Sequence, residues 1–246
     1  MQIKTIKTHC IKVNETLEAI LDNYININNI TEGDILVITS KIISVCQGQV
    51  ISKDVISKQA LIKQEADVLL DALNPNPYCL YLTIKNNILI PSAGIDESNG
   101  DNIYILYPKD IQKTAAILWQ YLRTKFSLKN FGVLITDSHT TPMRRGVTGI
   151  ALGWCGFEPL YSYVNKPDIY GKPLRVTQVN ILDSLATAAV FVMGEGDEQT
   201  PIAVINNAPK ISFLDRCPNI EEEQSIVIGL EEDLYAPLFK GALWLK

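Results

Sequence analysis

Short apolar runs separated by polar turns dominate the pattern of hydrophobic and polar positions in this chain. Runs rich in β-branched residues predict strands over 34–40, 102–108, 131–136, 174–181 and 202–206, and a hairpin with arms at 78–84 and 87–91. Apolar spacing of three and four residues predicts an amphipathic helix over 110–126. The alanine-rich segment 184–194, which ends in glycine, predicts a buried helix, and 219–224 predicts a late acidic helix.

These strands and helices follow one another without a regular strand–helix alternation. Such an order favours an α+β fold with mixed sheets over a doubly wound parallel sheet. Pro75 and Pro77 indicate a turn or a boundary between lobes. Because no clean linker interrupts residues 1–246, we expect a single domain in which two lobes share the chain discontinuously.

The composition and charge of the chain limit the classes of molecule that it is expected to bind. The net charge of -5 over 246 residues gives no broad attraction to nucleic acid, although a local site for a small phosphate is compatible with it. The N-terminus lacks the pattern of a signal peptide, and no run reaches the roughly 18 to 20 apolar residues of a membrane helix. Five scattered cysteines predict reduced thiols and a cytoplasmic protein without a membrane partner.

Three predicted turns place acids beside small residues, each next to an apolar element. They contain Asp96 in "PSAGIDESNGD", Asp137 with Ser138 in "ITDSHTT", and Glu195 in "MGEGDEQTP". Mg²⁺ and Mn²⁺ prefer oxygen ligands, and carboxylates repel one another unless a cation lies between them. The three turns together suggest one divalent-metal site, whereas each turn alone is better explained as a solvated polar turn.

Taken together, the turns and their flanking segments resemble the coenzyme F420-0:gamma-glutamyl ligase family. The matching stretches are "GDILVITSKIIS" (33–44), "SAGIDESN" (92–99), residues 132–160 and residues 167–205. Their order and separation agree with the family over most of the chain. The resemblance implies an α+β homodimer and a GTP-dependent ligase with divalent metal, Mg²⁺ or Mn²⁺. Such a ligase joins the amine of L-glutamate to a carboxylate of a small-molecule cofactor.

The resemblance also implies roles for individual residues. The implied metal ligands are Asp96, Asp137, Ser138 and Glu195. The implied nucleotide contacts are Ser40, Lys41, Asn99, Met193, Gly194, Gly196, Asp197, Glu198, Gln199 and Thr200. Two metal ions would neutralise charge during transfer of the γ-phosphate, which converts the acceptor carboxylate into an acyl phosphate.

Three further residues follow the "ITD" segment and carry chemistry of their own. Arg144 and Arg145 are candidates to clamp a phosphate or the carboxylate of glutamate, since guanidinium binds such groups in a bidentate way. The alternative is that one of the two arginines has a structural role instead. His139 is a candidate to orient a carboxylate or a water molecule, and the alternative is a hydrogen-bonded turn histidine.

The chain also departs from the family pattern. The stretch "SVCQGQ" puts Val45, Gln47 and Gln49 where the family has a phosphate-contacting lysine, a glutamate and an arginine, and the N-terminal nucleotide segment carries His9 and Cys10. Lost charges near the phosphates would weaken or re-route GTP binding, and Lys41 is a candidate to compensate.

In "DSHTTPMRRG", His139 and Thr140 depart from the family pattern where the substrate pocket is expected, so the acceptor is open between the F420 precursor and a folate. GTP is not separated from ATP, because base recognition is not readable from the sequence. A ligase that uses another amine, and a non-catalytic nucleotide-binding homologue, remain as alternatives. Because the sequence ends at Lys246, we expect no nitroreductase-like extension and no flavin.

Overall fold

A computed structural model describes residues 1–70, 81–241 and 244–245 of the chain. Thirteen strands, seven α-helices and one short 3-10 helix (Ser92–Gly94) follow one another in the described residues. The strands are β1 (Gln2–Ile6), β2 (Asp34–Thr39), β3 (Val50–Ser52), β4 (Val68–Leu70), β5 (Leu82–Lys85), β6 (Ile88–Pro91), β7 (Ile103–Ile105), β8 (Phe131–Thr140), β9 (Val147–Cys155), β10 (Leu160–Ser162), β11 (Gln178–Asn180), β12 (Ile202–Asn206) and β13 (Trp244–Leu245). The helices are α1 (Leu17–Tyr24), α2 (Ser40–Cys46), α3 (Lys58–Glu65), α4 (Ile111–Phe126), α5 (Ile181–Met193), α6 (Ile220–Gln224) and α7 (Ala236–Lys240).

The principal sheet has five strands in the order β1-β12-β2-β8-β9. All neighbours are antiparallel except β2 and β8, which run parallel with Thr39 opposite Thr136. A mostly antiparallel sheet with helices packed on it is an α+β arrangement, so the predicted mixture of sheets and helices is confirmed.

Helices cover both faces of this sheet, which explains why β2 and the first part of β8 are continuous apolar runs. On one face, Leu36 and Val133 pack in a core cluster with α1, α2 and α4. On the other face, Val37 and Leu134 pack against α5. Alternate residues of each strand thus enter opposite cores, as the two-residue period of a strand requires.

The chain between β2 and β8 builds smaller sheets. Strand β3 pairs with β7, and β4, β5 and β6 form a meander to which β13 adds an edge strand. A third core cluster joins α3 to residues 93–106. The predicted hairpin is confirmed as β5 and β6, although residues 78–80 of its first arm, Pro75 and Pro77 lie outside the described residues. The division into two lobes stays a prediction.

Four predicted elements had wrong boundaries. The predicted strand 102–108 is paired only over Ile103–Ile105, as β7. The strand expected to end at Thr136 continues as β8 to Thr140, because β9 pairs with it throughout and a bulge at Ile135/Thr136 absorbs the change of register. The predicted strand 174–181 is paired only over Gln178–Asn180. Helix α5 begins at Ile181, three residues before the predicted start, because the Asn180 side chain accepts a hydrogen bond from the Asp183 N–H and caps the helix.

Other predicted elements agree closely with the structure. Helix α4 occupies the predicted 110–126 region, β12 occupies 202–206, and α6 begins after a capping box formed by Asn219 and Glu222. In the part of the chain that the structure describes, no helix has the length and apolar character needed to cross a membrane.

Gly149 sets the distance between α5 and β9, which yields a stability prediction. A Cβ at this position would lie 2.3 Å from the Ala186 carbonyl oxygen and 2.7 Å from the Thr187 nitrogen. Because backbone atoms cannot move aside as a side-chain tip can, we expect Gly149→Ala to lower the free energy of unfolding by about 2 kcal/mol in urea denaturation. Gly229→Ala is the matched control, since no atom lies within 4 Å of its added Cβ. Equal stability of the two variants would contradict close packing at Gly149.

Candidate active site

Three strand ends meet beside β8 at one end of the principal sheet. Strand β2 finishes with Thr39 opposite Thr136 of its parallel neighbour β8, which continues to Thr140. Strand β1 also finishes there, because Ile6 and Ile38 both lie opposite Ile202 at the start of β12. The segments that leave or enter these strands are residues 7–11, the start of α2, the second half of β8, and the loop 194–201. The hydrogen-bond register of the sheet therefore brings together four segments that are distant in sequence.

These segments enclose a cavity of about 340 Å³, which we call the sheet-edge cavity. It is lined by Thr8, His9, Cys10, Ile11, Thr39, Lys41, Ile42, Val45, Asp96, Asn99, Ile105, Asp137, Ser138, Val190, Met193, Gly194, Glu195, Gly196, Asp197, Glu198, Gln199, Thr200 and Pro201. All four residues implied as metal ligands line this cavity. Every residue implied as a nucleotide contact lines it except Ser40, which is buried in α2.

Lys41 is the cation of the cavity, and it binds the first of the acids. Its Nζ lies 2.6 Å from Asp96 Oδ2 and donates a hydrogen bond to Ser98 Oγ at 2.9 Å. The Ser98 N–H and hydroxyl also donate to the Asp96 carboxylate, at 2.7 and 3.1 Å. Burial raises the pKa of Asp96, but Lys41 and Ser98 outweigh it, so the pKa lies below its usual value and Asp96 is ionised.

Within the part of the chain that the structure describes, no cation is in direct contact with Asp137. It faces the cavity from β8, and burial raises its pKa to about 7. Its Oδ1 accepts a hydrogen bond from the Ser138 N–H at 2.9 Å, and the charge of Asp96 nearby opposes ionisation. Lys41 offsets only part of this cost. A carboxylate enclosed in this way favours either a proton or a cation.

Glu195 lies in the loop 194–201, whose shape depends on glycine. Burial, together with the nearby Asp96 and Glu198, raises the pKa of Glu195 against the opposing effect of Lys41 and Ser138. Gly194 has φ of +83°, and a Cβ there would meet the Glu198 carboxylate at 2.3 Å. Only glycine allows that carboxylate to fold back and accept the Gly196 N–H at 2.8 Å.

The Asn99 side chain connects this loop to the segment that carries Asp96. Its Nδ2 donates a hydrogen bond to the Gly196 carbonyl at 3.1 Å, across 97 positions of sequence. The three acid-bearing segments therefore converge on one cavity, with Lys41 acting electrostatically on all three acids.

The donor set has the chemistry that a hard divalent cation requires, since carboxylates and the Ser138 hydroxyl are oxygen ligands. The ligands are not gathered around one point in this structure. Among residues 1–70, 81–241 and 244–245, no three His, Cys, Asp or Glu side chains are close enough to bind one metal ion. Lys41 holds Asp96 instead, and the unbalanced charge at Asp137 and Glu195 is the feature that a cation would neutralise.

Val45, Gln47 and Gln49, which depart from the family pattern, lie in three different surroundings. Val45 lines the sheet-edge cavity with an apolar surface. The Gln47 side-chain amide pairs with the Lys109 backbone, accepting its N–H at 2.8 Å and donating to its carbonyl at 3.2 Å. Gln49 lines a different cavity. Gln47 thus connects α2 to the start of α4 and does not line the sheet-edge cavity.

Two other groups of predicted residues lie away from this cavity. His139 lines a larger cleft of about 1130 Å³, where burial lowers its pKa and Asp183 partly opposes the effect. Arg144 and Arg145 lie on the exposed turn between β8 and β9. Neither arginine belongs to the residues that line the two cavities.

Tyr107 was missed by the sequence analysis. Its buried side chain lines the larger cleft, and its hydroxyl lies close to the Asp137 carboxylate without the geometry of a formed hydrogen bond. Burial and the charge of Asp137 raise the pKa of this phenol. The ring packs where a Cβ on Gly94 would come within 2.4 Å. In sequence Tyr107 was one more aromatic residue of a predicted strand, so nothing distinguished it.

Comparison with known proteins identifies the family. The model of the F420-0:Gamma-glutamyl ligase family matches residues 5–207. The chain therefore belongs to this family, and the predicted class of enzyme, a ligase that forms a carbon–nitrogen bond with an amino acid, is confirmed.

Individual relatives agree with this assignment. The chain is 32% identical over 219 residues to the coenzyme F420:L-glutamate ligase of Methanopyrus kandleri, covering 83% of this chain and 86% of the relative. It is 31% identical to the protein of the same name from Methanococcus maripaludis strain C6, covering 85% and 89% of the two chains. The corresponding protein of Methanocaldococcus jannaschii is 32% identical, with 73% and 77% covered.

Because the pKa of Asp137 is raised, we predict that ionisation of this carboxyl lowers the free energy of unfolding when no metal is bound. A carboxyl whose pKa is higher in the folded than in the unfolded state loses stability as pH rises from about 4 to about 7. We expect Asp137→Asn, in EDTA, to raise the free energy of unfolding by roughly 2 kcal/mol at pH 8, since solvent in the cavity screens part of the cost. The gain should shrink at pH 5 and vanish towards pH 4. Urea titrations at these pH values measure it, and a gain independent of pH would contradict the assignment.

Proposed function

We propose that the chain is a GTP- and divalent-metal-dependent gamma-glutamyl ligase. In this proposal it joins L-glutamate to the carboxylate of a cofactor that resembles the F420 precursor, through an acyl phosphate. The names of the relatives, coenzyme F420:L-glutamate ligase, support both the donor and the type of acceptor. The proposal that the enzyme uses GTP and a metal rests on the resemblance to the family and on the chemistry of the sheet-edge cavity.

One observation carries the proposal: the residues implied for metal and nucleotide converge on one cavity. Lys41, Asn99 and Glu195 come from segments more than 50 residues apart, and each lines the sheet-edge cavity. The cavity combines one cation with several acids, which is typical of sites where a metal mediates between carboxylates and phosphates. A protein that had lost catalysis would have little reason to retain the enclosed charge of Asp137.

The chemistry of amide formation sets what the residues must do. A carboxylate is a poor electrophile, so its oxygen first attacks the γ-phosphorus of GTP and GDP leaves. The amine of glutamate then attacks the acyl carbon, phosphate leaves, and the amine loses a proton. Lys41 is placed to neutralise phosphate oxygens, and Asn99 with the backbone N–H groups of the loop 194–201 is placed to position them.

The proposed metal ligands are Asp96, Asp137, Ser138 and Glu195. A divalent cation held there would neutralise the charge that develops on the β- and γ-phosphate oxygens. For Asp96 to join this set, Lys41 would exchange its present ion pair with Asp96 for a phosphate oxygen.

We also propose a homodimer, as in the family that the sequence resembles. Large apolar side chains lie exposed on the β8–β9 turn, on the loop between β10 and β11, and at the end of α5. These include Met143, Ile169, Tyr170, Val176 and Phe191. Burial of exposed apolar side chains favours association with another protein chain. Light scattering of the purified protein tests the dimer directly.

A mass-spectrometric ligase assay tests the reaction. It combines the protein with GTP or ATP, Mn²⁺ or Mg²⁺, L-glutamate, and either the F420 precursor or a reduced folate. We expect the mass of the F420 precursor to increase by one glutamyl residue, with GDP and phosphate released in equal amounts. A gain on the folate alone would replace the acceptor and keep the mechanism. No gain on either acceptor, without nucleotide binding, would favour a non-catalytic homologue.

The role of Asp137 is tested by calorimetry of GTP binding in Mn²⁺. We expect Asp137→Asn to weaken Mn²⁺-dependent GTP binding at least 100-fold, because an amide neither carries the charge nor binds the cation as a carboxylate does. The control is Glu18→Gln on the exposed surface of α1, which lies outside the cavity and should bind GTP as the unmodified protein does. Unchanged binding in the Asp137 variant would remove Asp137 from the metal site.

A further inference from the structure

His9 lies in the N-terminal segment that lines the sheet-edge cavity. The side chains of Tyr24 and Glu15 hydrogen-bond to the two nitrogens of its ring. Nδ1 lies 2.7 Å from the Tyr24 hydroxyl, and Nε2 lies 2.7 Å from Glu15 Oε2. The Tyr24 oxygen also accepts the backbone N–H of His9 at 2.9 Å. Three bonds to α1 and its preceding segment therefore fix both the position and the plane of the imidazole.

The face of this ring that points away from Tyr24 remains available. The Tyr24 ring is stacked beside the imidazole, with the two ring planes inclined by 28° and their centroids 5.7 Å apart. The His9 side chain is nevertheless 43% exposed. Because both nitrogens are hydrogen-bonded, the ring offers a ligand its carbon edge and the face away from Tyr24. A fixed ring of this kind offers stacking to a ligand, and hydrogen bonding only at the expense of Tyr24 or Glu15.

The surroundings of His9 differ from the acid-bearing part of the same cavity. Ile11, Ile42 and Val45 also line the cavity, and they present apolar side chains. In the acid-bearing part, Lys41 pairs with Asp96, and Asn99 donates a hydrogen bond to the Gly196 carbonyl. A nucleotide has the same division, with a charged phosphate chain and a flat, weakly polar base. Val45 adds apolar surface at a position where the family pattern has a lysine.

We propose that His9 is the stacking platform for the purine base of the bound nucleotide. The inference rests on the proposed nucleotide-dependent function and assigns a specificity-determining role to a residue that departs from the family pattern. Glu15 and Tyr24 act as positioning residues, since they hold the ring in one plane before the nucleotide binds. Stacking on an aromatic ring depends on the ring face and is independent of the phosphate chain.

The experiment compares two ligands in three variants by calorimetry with Mn²⁺. The ligands are GTP and inorganic tripolyphosphate, which has the phosphate chain without the base. His9→Ala removes the ring, His9→Asn keeps an edge donor and acceptor without a ring, and His9→Phe keeps a ring without the nitrogens. We expect His9→Ala and His9→Asn to weaken GTP binding about 10-fold, equivalent to about 1.4 kcal/mol. Tripolyphosphate binding should stay unchanged in all three, and His9→Phe should remain within about 3-fold of the unmodified protein for GTP.

The other outcomes overturn the proposal. An equal loss for GTP and tripolyphosphate would place His9 at the phosphates. Full GTP affinity in His9→Asn would show that the ring face is not used. If thermal unfolding shows that His9→Ala does not fold, the comparison of Asn with Phe decides the question. Failure of the unmodified protein to bind either ligand would instead refute the nucleotide-dependent function itself, and the stacking role with it.

Discussion

The parallel pairing of β2 with β8 is the constraint on which the rest of the site depends. In an otherwise antiparallel sheet, this one pair places the end of β2 beside Thr136 of β8, which continues in the same direction. Lys41 lies at the start of α2, just after β2 ends at Thr39, and Asp137 follows Thr136 in β8. Because β12 runs antiparallel to β2, its preceding loop with Glu195 reaches the same edge. A shift of one residue in this register would turn Asp137 to the opposite face of the sheet.

The electrostatics of this end of the sheet then indicates a binding site, and not only a place where strands meet. Three acids approach one lysine, and only Asp96 is paired with it closely enough to keep a low pKa. The enclosed Asp137 and Glu195 have raised pKa values because burial penalises their charge. A fold selected only for stability would avoid this arrangement, since apolar residues of similar size would pack there without a charge penalty. The penalty is consistent with a site that binds a cation and an anion together.

Much of the fold and of the site was predictable from sequence, for identifiable reasons. The β2 strand and α4 carry strong apolar patterns, and the turns with Asp96, Asp137 and Glu195 match the family motif. The continuation of β8 through Thr140 was not predictable, because its polar residues look like a turn until the pairing with β9 is known. Tyr107 was missed since its nearness to Asp137 is a purely tertiary contact. The separation of His139 from the sheet-edge cavity has the same origin: it is adjacent to Ser138 in sequence, but it lines the larger cleft.

Residues 45, 47 and 49 depart from the family pattern, and the structure shows which contacts these residues make instead. From sequence, the replaced lysine, glutamate and arginine suggested that phosphate binding is weakened. In the structure, Gln47 forms a reciprocal amide pair with the Lys109 backbone, a role that needs an amide rather than a charge. Val45 makes one wall of the cavity apolar, and Lys41, one turn earlier on α2, is the cation at the acids. The positive charge that remains is therefore at the start of the helix, and the wall beyond it is suited to an uncharged part of the ligand. The same division explains why a fixed aromatic ring at His9 is compatible with an otherwise acidic cavity.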